Sequence, residues 1–290
     1  MTSSWRWVLI TAVAPIAWGS TYFVTRQFLP ADVPLWGAAI RALPAGLVLL
    51  ALARTLPTGS WWWRSLVLGV LNFSGFFVLI YLSATLLPSS IASSMMALAP
   101  VAMALSGWLV LAERPTAWMG VGAGLGIAGV LLILGAGLEP TNPWGILTSL
   151  AALVMSSIGA VLNKAWSRRH GSVPVLASTA WQATAGGLML LVAAVIWEGA
   201  PPVVGPAGVA AFAYISVIAT AVASVCWFAG LARLAAGTVG IIGLLNPVTG
   251  VLLGTLAGAE QLTWWQAAGI ALVLVGILAG QRSPRATAAA

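Results

Sequence analysis

Residues 98–118 read LAPVAMALSGWLVLAERPTAW, and residues 245–265 read LNPVTGVLLGTLAGAEQLTWW. Leu98, Pro100, Val101, Leu105, Gly107, Leu109, Ala112, Glu113, Thr116 and Trp118 recur 147 positions later as Leu245, Pro247, Val248, Leu252, Gly254, Leu256, Ala259, Glu260, Thr263 and Trp265. Gly122, Leu125, Gly129 and Leu131 extend the match to Gly269, Leu272, Gly276 and Leu278, so that 14 of the 34 positions from 98 to 131 are identical. A background rich in Ala, Leu and Gly does not reproduce matched Pro, Glu, Thr and Trp, and the chain reads as a tandem duplication. Earlier parts align at an offset of 140: Gly19 with Gly159, Val33-Pro34 with Val173-Pro174, and Ala45-Gly46 with Ala185-Gly186. The longer connection in the second half falls around Gly199–Gly205.

The solvent of this duplication is set by composition. The 290 residues are 61% hydrophobic and 6% charged, with mean hydropathy +1.03. So few charges cannot cover a water-soluble surface. No charged residue occurs from 65 to 112, long enough for two spans of about 20 residues each, with a break at Leu87-Pro88-Ser89. Charges, Pro/Gly breaks and span length predict ten helices near 7–27, 33–53, 65–86, 89–111, 116–136, 143–167, 173–196, 207–232, 236–257 and 263–281. A β-barrel would instead alternate in segments of about ten residues. The expected fold is an all-α integral membrane protein of ten transmembrane helices, as two inverted five-helix repeats. The first repeat covers 1–138 (helices 1–5), and the second covers 139–290 (helices 6–10 and a short tail).

The inversion follows from charge placement. With a cytoplasmic N-terminus, the inner side holds Arg6, Arg54, Arg64, Arg114, Lys164, Arg168, Arg169, Arg233, Arg282 and Arg285. The outer side holds Arg26 with Asp32, Glu139, Glu198 and Glu260. This is a positive-inside pattern with both termini cytoplasmic. The net charge of +7 therefore marks orientation rather than nucleic-acid binding. The apolar run after Arg6 resembles a signal peptide but reads as an uncleaved first span. Five spans per repeat is an odd number, so the second copy enters the bilayer upside down, an architecture of alternating-access transporters with a midplane site.

Candidate functional residues are those costly to place in lipid. Pro100 and Pro247 fall inside spans 4 and 9 and read either as static kinks or as a paired hinge. Glu113 and Glu260 lie at helix ends, as carboxylates favouring the N-termini of helices 5 and 10 beside the caps Thr116 and Thr263, or as gate latches at the two mouths. Arg41 is embedded about 12 Å below the outer start of helix 2. It reads either as a substrate or headgroup ligand or as a snorkelling side chain. Its repeat mate is Trp181. Trp18, Tyr22, Asn72, Tyr81, Met95, Asn163, Gln182 and Asn246 complete the substrate-binding candidates, the asparagines being the strongest because an amide facing lipid is costly. Lys164 is expected to snorkel towards the inner surface. The glycines of helices 5 and 10 form close-packing faces that would also accept a homodimer partner.

Cys226 is the single cysteine, and no disulfide framework, metal-ligand cluster or phosphate-binding loop is written in the chain. No Asp or Glu falls at hydrocarbon depth, so a carboxylate proton relay has no evident residue. The expectation is a protein with no cofactor, no metal, no catalytic residue and no nucleic-acid partner, acting on a small molecule within a lipid bilayer.

Several phrases resemble a known family: Pro15-Ile16-Ala17-Trp18-Gly19-Ser20-Thr21-Tyr22 in helix 1, Ala39-Ile40-Arg41-Ala42 in helix 2, Tyr81-Leu82-Ser83-Ala84 in helix 3, and the two Pro…Glu…Trp phrases. Together, over residues 7–281, they resemble the EamA-type exporters of the drug/metabolite transporter superfamily. The chain is most similar there to the aromatic amino acid exporter branch. The resemblance implies a bacterial inner-membrane exporter of amino acids or related metabolites, with a cavity among helices 1, 3, 4, 6, 8 and 9. Export of drugs, nucleosides or other metabolites on the same scaffold is the alternative. A non-transporting membrane protein is a third reading.

Overall fold

The computed structural model describes residues 2–28, 33–86, 97–134, 142–169, 173–257 and 263–281. Among them the chain is helical and no strand occurs. This is what a bilayer demands, because a helix satisfies its backbone hydrogen bonds internally. Helices α1 (Thr2–Phe28) and α2 (Pro34–Ala53) are followed by a rod made of α3 (Trp61–Gly69), a π segment, π1 (Val70–Ser74), and α4 (Gly75–Leu86). Next come α5 (Ala99–Leu111), α6 (Ala117–Leu134), α7 (Pro143–Arg169) and α8 (Val175–Trp197). A second interrupted rod consists of α9 (Pro206–Ser216), π2 (Val217–Val222) and α10 (Ala223–Arg233). Finally α11 (Ala236–Gly243), α12 (Leu245–Ala257) and α13 (Trp264–Gly280) close the chain. Joined across the π segments and the turn at Leu244, these make ten helices in the expected order. Pro34–Ala53, Trp61–Ile80, Pro143–Arg169, Val175–Trp197 and Pro206–Arg233 are each long and apolar enough to cross a membrane, and shorter apolar helices accompany them.

Spans 4 and 9 differ from expectation. Pro100 lies in the first turn of α5, where the missing N–H has no helical partner to lose. Pro247 lies in the first turn of α12, just past the turn at Leu244 that separates it from α11. The helix stops there because Pro247 has no N–H to offer the Gly243 carbonyl. Pro100 therefore stands at a helix start and Pro247 restarts a helix after a turn, instead of bending it from inside. The prolines that do sit inside helices are Pro15 in α1 and Pro44 in α2.

Two helix pairs dominate the packing, α2 with α8 and α6 with α13. Both run antiparallel and meet backbone to backbone. A methyl group on Gly129 would stand 2.6 Å from the Gly269 carbonyl oxygen, and one on Gly122 would stand 2.7 Å from that of Gly276. Gly122 and Gly269 are equivalent positions of the duplication, as are Gly129 and Gly276, so the contacts are reciprocal. Gly46 meets Thr184 and Gly187 meets Leu43 in the same crossed manner between α2 and α8. Small residues drive such crossings because lipid offers apolar helices no hydrophobic reason to associate. Each pair carries an apolar cluster, one around Val130, Ile241, Val273 and Ile277, the other around Leu49, Trp61, Leu68 and Trp181.

Candidate functional site

Two polar contacts tie the interrupted rods to the central pair α2–α8. Asn72, in π1, donates from Nδ2 to Oε1 of Gln182 on α8 at 2.7 Å. Arg41, on α2, donates from Nε to Oγ1 of Thr220, in π2, at 3.0 Å. Gln182 is fully buried and Thr220 nearly so; the contacts satisfy the Gln182 oxygen and the Thr220 hydroxyl, while Gln182 Nε2 is left without a partner. The Arg41 guanidinium also lies 4.6 Å from the centre of the Phe77 ring, a favourable arrangement at a desolvated position. Each π segment thus carries one side chain of a polar pair. Such segments, with their i→i+5 hydrogen bonding, frequently occur at functional sites. Gly159 on α7 lets the helix lie against Asn72, whose Oδ1 would stand 2.5 Å from an added methyl.

A second group surrounds α1. Trp18 packs on Trp227 of α10, ring centres 5.1 Å apart. Gly19 approaches the Asn246 carbonyl oxygen at the start of α12 so closely that an added methyl would stand 2.5 Å from it. The hydroxyls of Ser20 and Tyr214 share a hydrogen bond of 2.7 Å. Trp18 thus meets α10, and the next residue, Gly19, lies against the backbone of Asn246.

At the basic end of the molecule, Glu113 follows Ala112, whose left-handed backbone (φ 55°) ends α5 and turns the chain. The carboxylate does not cap its own following helix. Its Oε1 accepts from Lys164 Nζ at 2.6 Å, and its Oε2 accepts from the Ala236 N–H at 2.9 Å at the start of α11. Lys164 gives a second hydrogen bond to the Leu234 carbonyl at 2.7 Å. Lys164 therefore does not snorkel. It is buried, and a buried ammonium needs a counter-charge. Thr116 does act as a cap, accepting from the Met119 N–H, and Thr263 forms a capping box with Gln266 on α13.

Beside this knot lies a cavity of about 370 Å³ between α1, α7, α8 and α10. Its polar lining includes Asn163, Lys164, Arg168 and Arg233, and its apolar lining includes Trp7, Val175, Phe228 and Leu231. Arg233 stacks over Trp7 at 5.2 Å, and Arg168 is half exposed, 3.9 Å from Glu113.

At the opposite end, Glu198 accepts from the Leu35 and Trp36 N–H groups at 2.8 Å each, and Trp36 Nε1 donates to the Gly199 carbonyl. This carboxylate caps α2, a helix whose own N-cap side chain makes no hydrogen bond.

Of the sequence candidates, Asn72 and Gln182 are brought together, Trp18 packs on Trp227 with Asn246 reached only by its backbone against Gly19, and Arg41 is bonded to Thr220 of π2. Asn163 lies at the basic end with Glu113. The side chains of Tyr22 and Tyr81, and all of Met95 and Glu260, fall outside the described residues. Thr220 and Phe77 were missed because a threonine and a phenylalanine in an apolar run carry no signal. Arg64 was counted only as an orientation charge, yet it is buried among Trp61, Trp63 and Trp166 at 5.4–5.7 Å. The tryptophan-rich phrase from 61 to 63 could have revealed it.

A ten-helix apolar bundle with polar pairs at its interrupted helices and a cavity at its basic end is the build of a small-molecule membrane transporter. The model of the EamA-like transporter family matches residues 5–135 and again 143–279, and the chain belongs to that family. It is 36% identical to Protein PecM of Dickeya dadantii (strain 3937) over 265 residues, covering 91% of this chain and 89% of that protein. It is 27% identical to the uncharacterized inner membrane transporter YedA of Escherichia coli (strain K12), covering 90% of this chain and 87% of that one. A probable amino-acid metabolite efflux pump of Salmonella typhimurium is 27% identical over 59% of this chain and 60% of its own. A crystal structure with 23% sequence identity superposes with a TM-score of 0.81 over 95% of this chain and 96% of that one, which shows the shared fold.

Proposed function

We propose that this protein exports amino acids, aromatic or otherwise neutral, or related small metabolites by alternating access across a bacterial inner membrane, with both termini cytoplasmic. The reading rests above all on the duplication. The family model matches each half separately, and the reciprocal contacts Gly122–Gly276 and Gly129–Gly269 are those expected of two copies related by a twofold axis. Two such copies facing opposite ways can exchange roles, one opening as the other closes. The domain division at residue 138 follows from the same duplication.

In this scheme Pro100 and Pro247 are hinge positions, since each stands in the first turn of its helix, Pro247 just past the turn at Leu244. Glu113, joined to Lys164, Leu234 and Ala236, is the gate at the basic end, and Glu260 is its counterpart at the other. Arg41, Asn72, Gln182, Trp18 and Asn246 line or support the path, with Tyr22, Tyr81, Met95 and Asn163. The efflux pump among the relatives supports an amino-acid metabolite as the cargo class.

Purified protein in liposomes, given radiolabelled phenylalanine, tryptophan and leucine with and without an imposed pH gradient, tests the reading. Flux above that of protein-free vesicles is expected. Absence of flux for all three amino acids, with flux of a nucleoside or a cationic dye, would replace it with the alternative cargo class. Equal rates with and without the gradient would match the lack of a carboxylate at hydrocarbon depth.

A further inference from the structure

The cavity at the basic end has one polar side and one apolar side. Arg168, Arg233 and Lys164 stand at its polar side. Glu113 faces these groups, bonded to Lys164 at 2.6 Å and 3.9 Å from Arg168, and its single negative charge leaves the three cations in excess. The N-terminus of α8 opens into the same space through Val173, Pro174 and Val175, and its N-cap, Pro174, has no side-chain acceptor to offer it. The first N–H groups of a helix have no intrahelical acceptor, and the helix dipole there favours an anion. A helix terminus alone would carry little, but Asn163 adds an independent observation. It is 96% buried (4% exposed), it lines the cavity, and its Oδ1 has no hydrogen-bond partner. An unmet amide acceptor in an apolar bundle is costly and is satisfied by a ligand that donates.

The geometry points to a binding site in this cavity for a small carboxylate that carries a hydroxyl or amino donor next to an apolar body. The carboxylate pairs with Arg168, Arg233 and the α8 N–H groups. The donor meets Asn163, and the apolar body packs on Trp7, Phe228 and Leu231. A volume of 370 Å³ lies in the range of small-molecule sites and accommodates a single aromatic ring with a short polar chain. This inference rests on the transport reading and gives it a loading site that lies apart from the π segments, at the end where cargo would enter from the cytoplasm.

Calorimetric titration of the full chain in phosphatidylcholine nanodiscs tests it with four probes: 3-phenyllactate, phenylalanine, 3-phenylpropionate and phenyllactamide. The first two have both carboxylate and donor, the third lacks the donor, and the fourth lacks the charge. We expect phenyllactate to bind about tenfold more tightly than either single-feature probe, a step of about 1.4 kcal/mol. Arg168→Gln and Arg233→Gln should each weaken phenyllactate about tenfold and leave phenyllactamide unchanged, with Arg233→Lys recovering part of the loss. Asn163→Ala should erase the difference between phenyllactate and phenylpropionate. Repeating the titration with phosphatidylglycerol discs distinguishes two sources of the anion. Loss of phenyllactate binding there would assign the arginines to a lipid headgroup, with the carboxylate site overturned as a cargo site. Equal affinity for all four probes, or no binding by protein that still transports labelled amino acids, would overturn the site while leaving the transport reading intact. The probe series on the native protein decides this even if a variant fails to fold.

Discussion

Lys164 Nζ lies 2.6 Å from Glu113 Oε1 and joins α7 to the loop after α5, with the Leu234 carbonyl and the Ala236 N–H completing the knot. Three parts of the chain, separate in sequence, are held by two side chains at the basic end. Glu113→Gln removes the counter-charge from an ammonium whose side chain is 2% exposed. It should destabilise the protein by about 2–3 kcal/mol, at or below the usual cost of breaking a buried pair because the carboxylate itself is partly exposed. Adding Lys164→Met to that variant should recover most of the loss. Thermal unfolding in detergent reads both, and a double variant less stable than the single one would show that the lysine acts by something other than its charge.

The α6–α13 crossing predicts opposite outcomes for two glycines on one helix. Gly129→Ala places a methyl 2.6 Å from the Gly269 carbonyl and must push the helices apart. The expected cost is about 1–3 kcal/mol. Gly124→Ala meets open space and should stay within about 0.5 kcal/mol of the parent. A chemical unfolding series compares them directly, and similar losses at the two positions would contradict this packing.

Asn72 and Gln182 form an isolated amide pair with a fully buried acceptor residue. Asn72→Leu and Gln182→Leu, alone and combined, form a double-mutant cycle. A coupling energy of about 0.6–1.7 kcal/mol is expected, in the range of interhelical hydrogen bonds in membranes. A coupling of zero would mean that the geometry at π1 contributes nothing to stability.

Arg41 is oriented by Thr220 and Phe77. Thr220→Val keeps the shape but removes the acceptor, so Arg41 should lose its position without losing its charge. If Arg41 serves cargo, Thr220→Val and Arg41→Ala should both slow flux of carboxylate-bearing substrates in liposomes more than flux of their neutral amides. Equal slowing of both classes would make Arg41 a structural arginine.

Much of the architecture was legible before any coordinates. Span lengths, uncharged runs and the recurrence of Pro100 and Glu113 as Pro247 and Glu260 place ten helices in order, because membrane thickness and backbone satisfaction leave little choice. Helix interruptions were less legible. The π segments lie in ordinary apolar sequence, and nothing in Val70–Ser74 or Val217–Val222 distinguishes a wide turn from a normal one. Pro247 reads from sequence as a kink or hinge inside a span, and the full stop at Leu244 is visible only in the fold. Side-chain partners were the least legible. Lys164 and Glu113 are 51 positions apart, and only the fold shows that a supposed surface lysine is buried. The central polar candidates fared better, since Asn72 and Gln182, chosen for their cost in lipid, prove to be each other's partners.

Val70 and Val217, the first residues of the two π segments, are separated by the same 147 positions that separate Glu113 from Glu260. A wide turn at one place in a helix amounts to one residue too many for a regular coil. The surplus residue falls at matched places in both halves, so the two repeats share an irregular backbone as well as a sequence phrase. The side chains at these turns differ, an asparagine in one and a threonine one step further along in the other. One irregularity of the backbone thus holds different chemistry in the two halves.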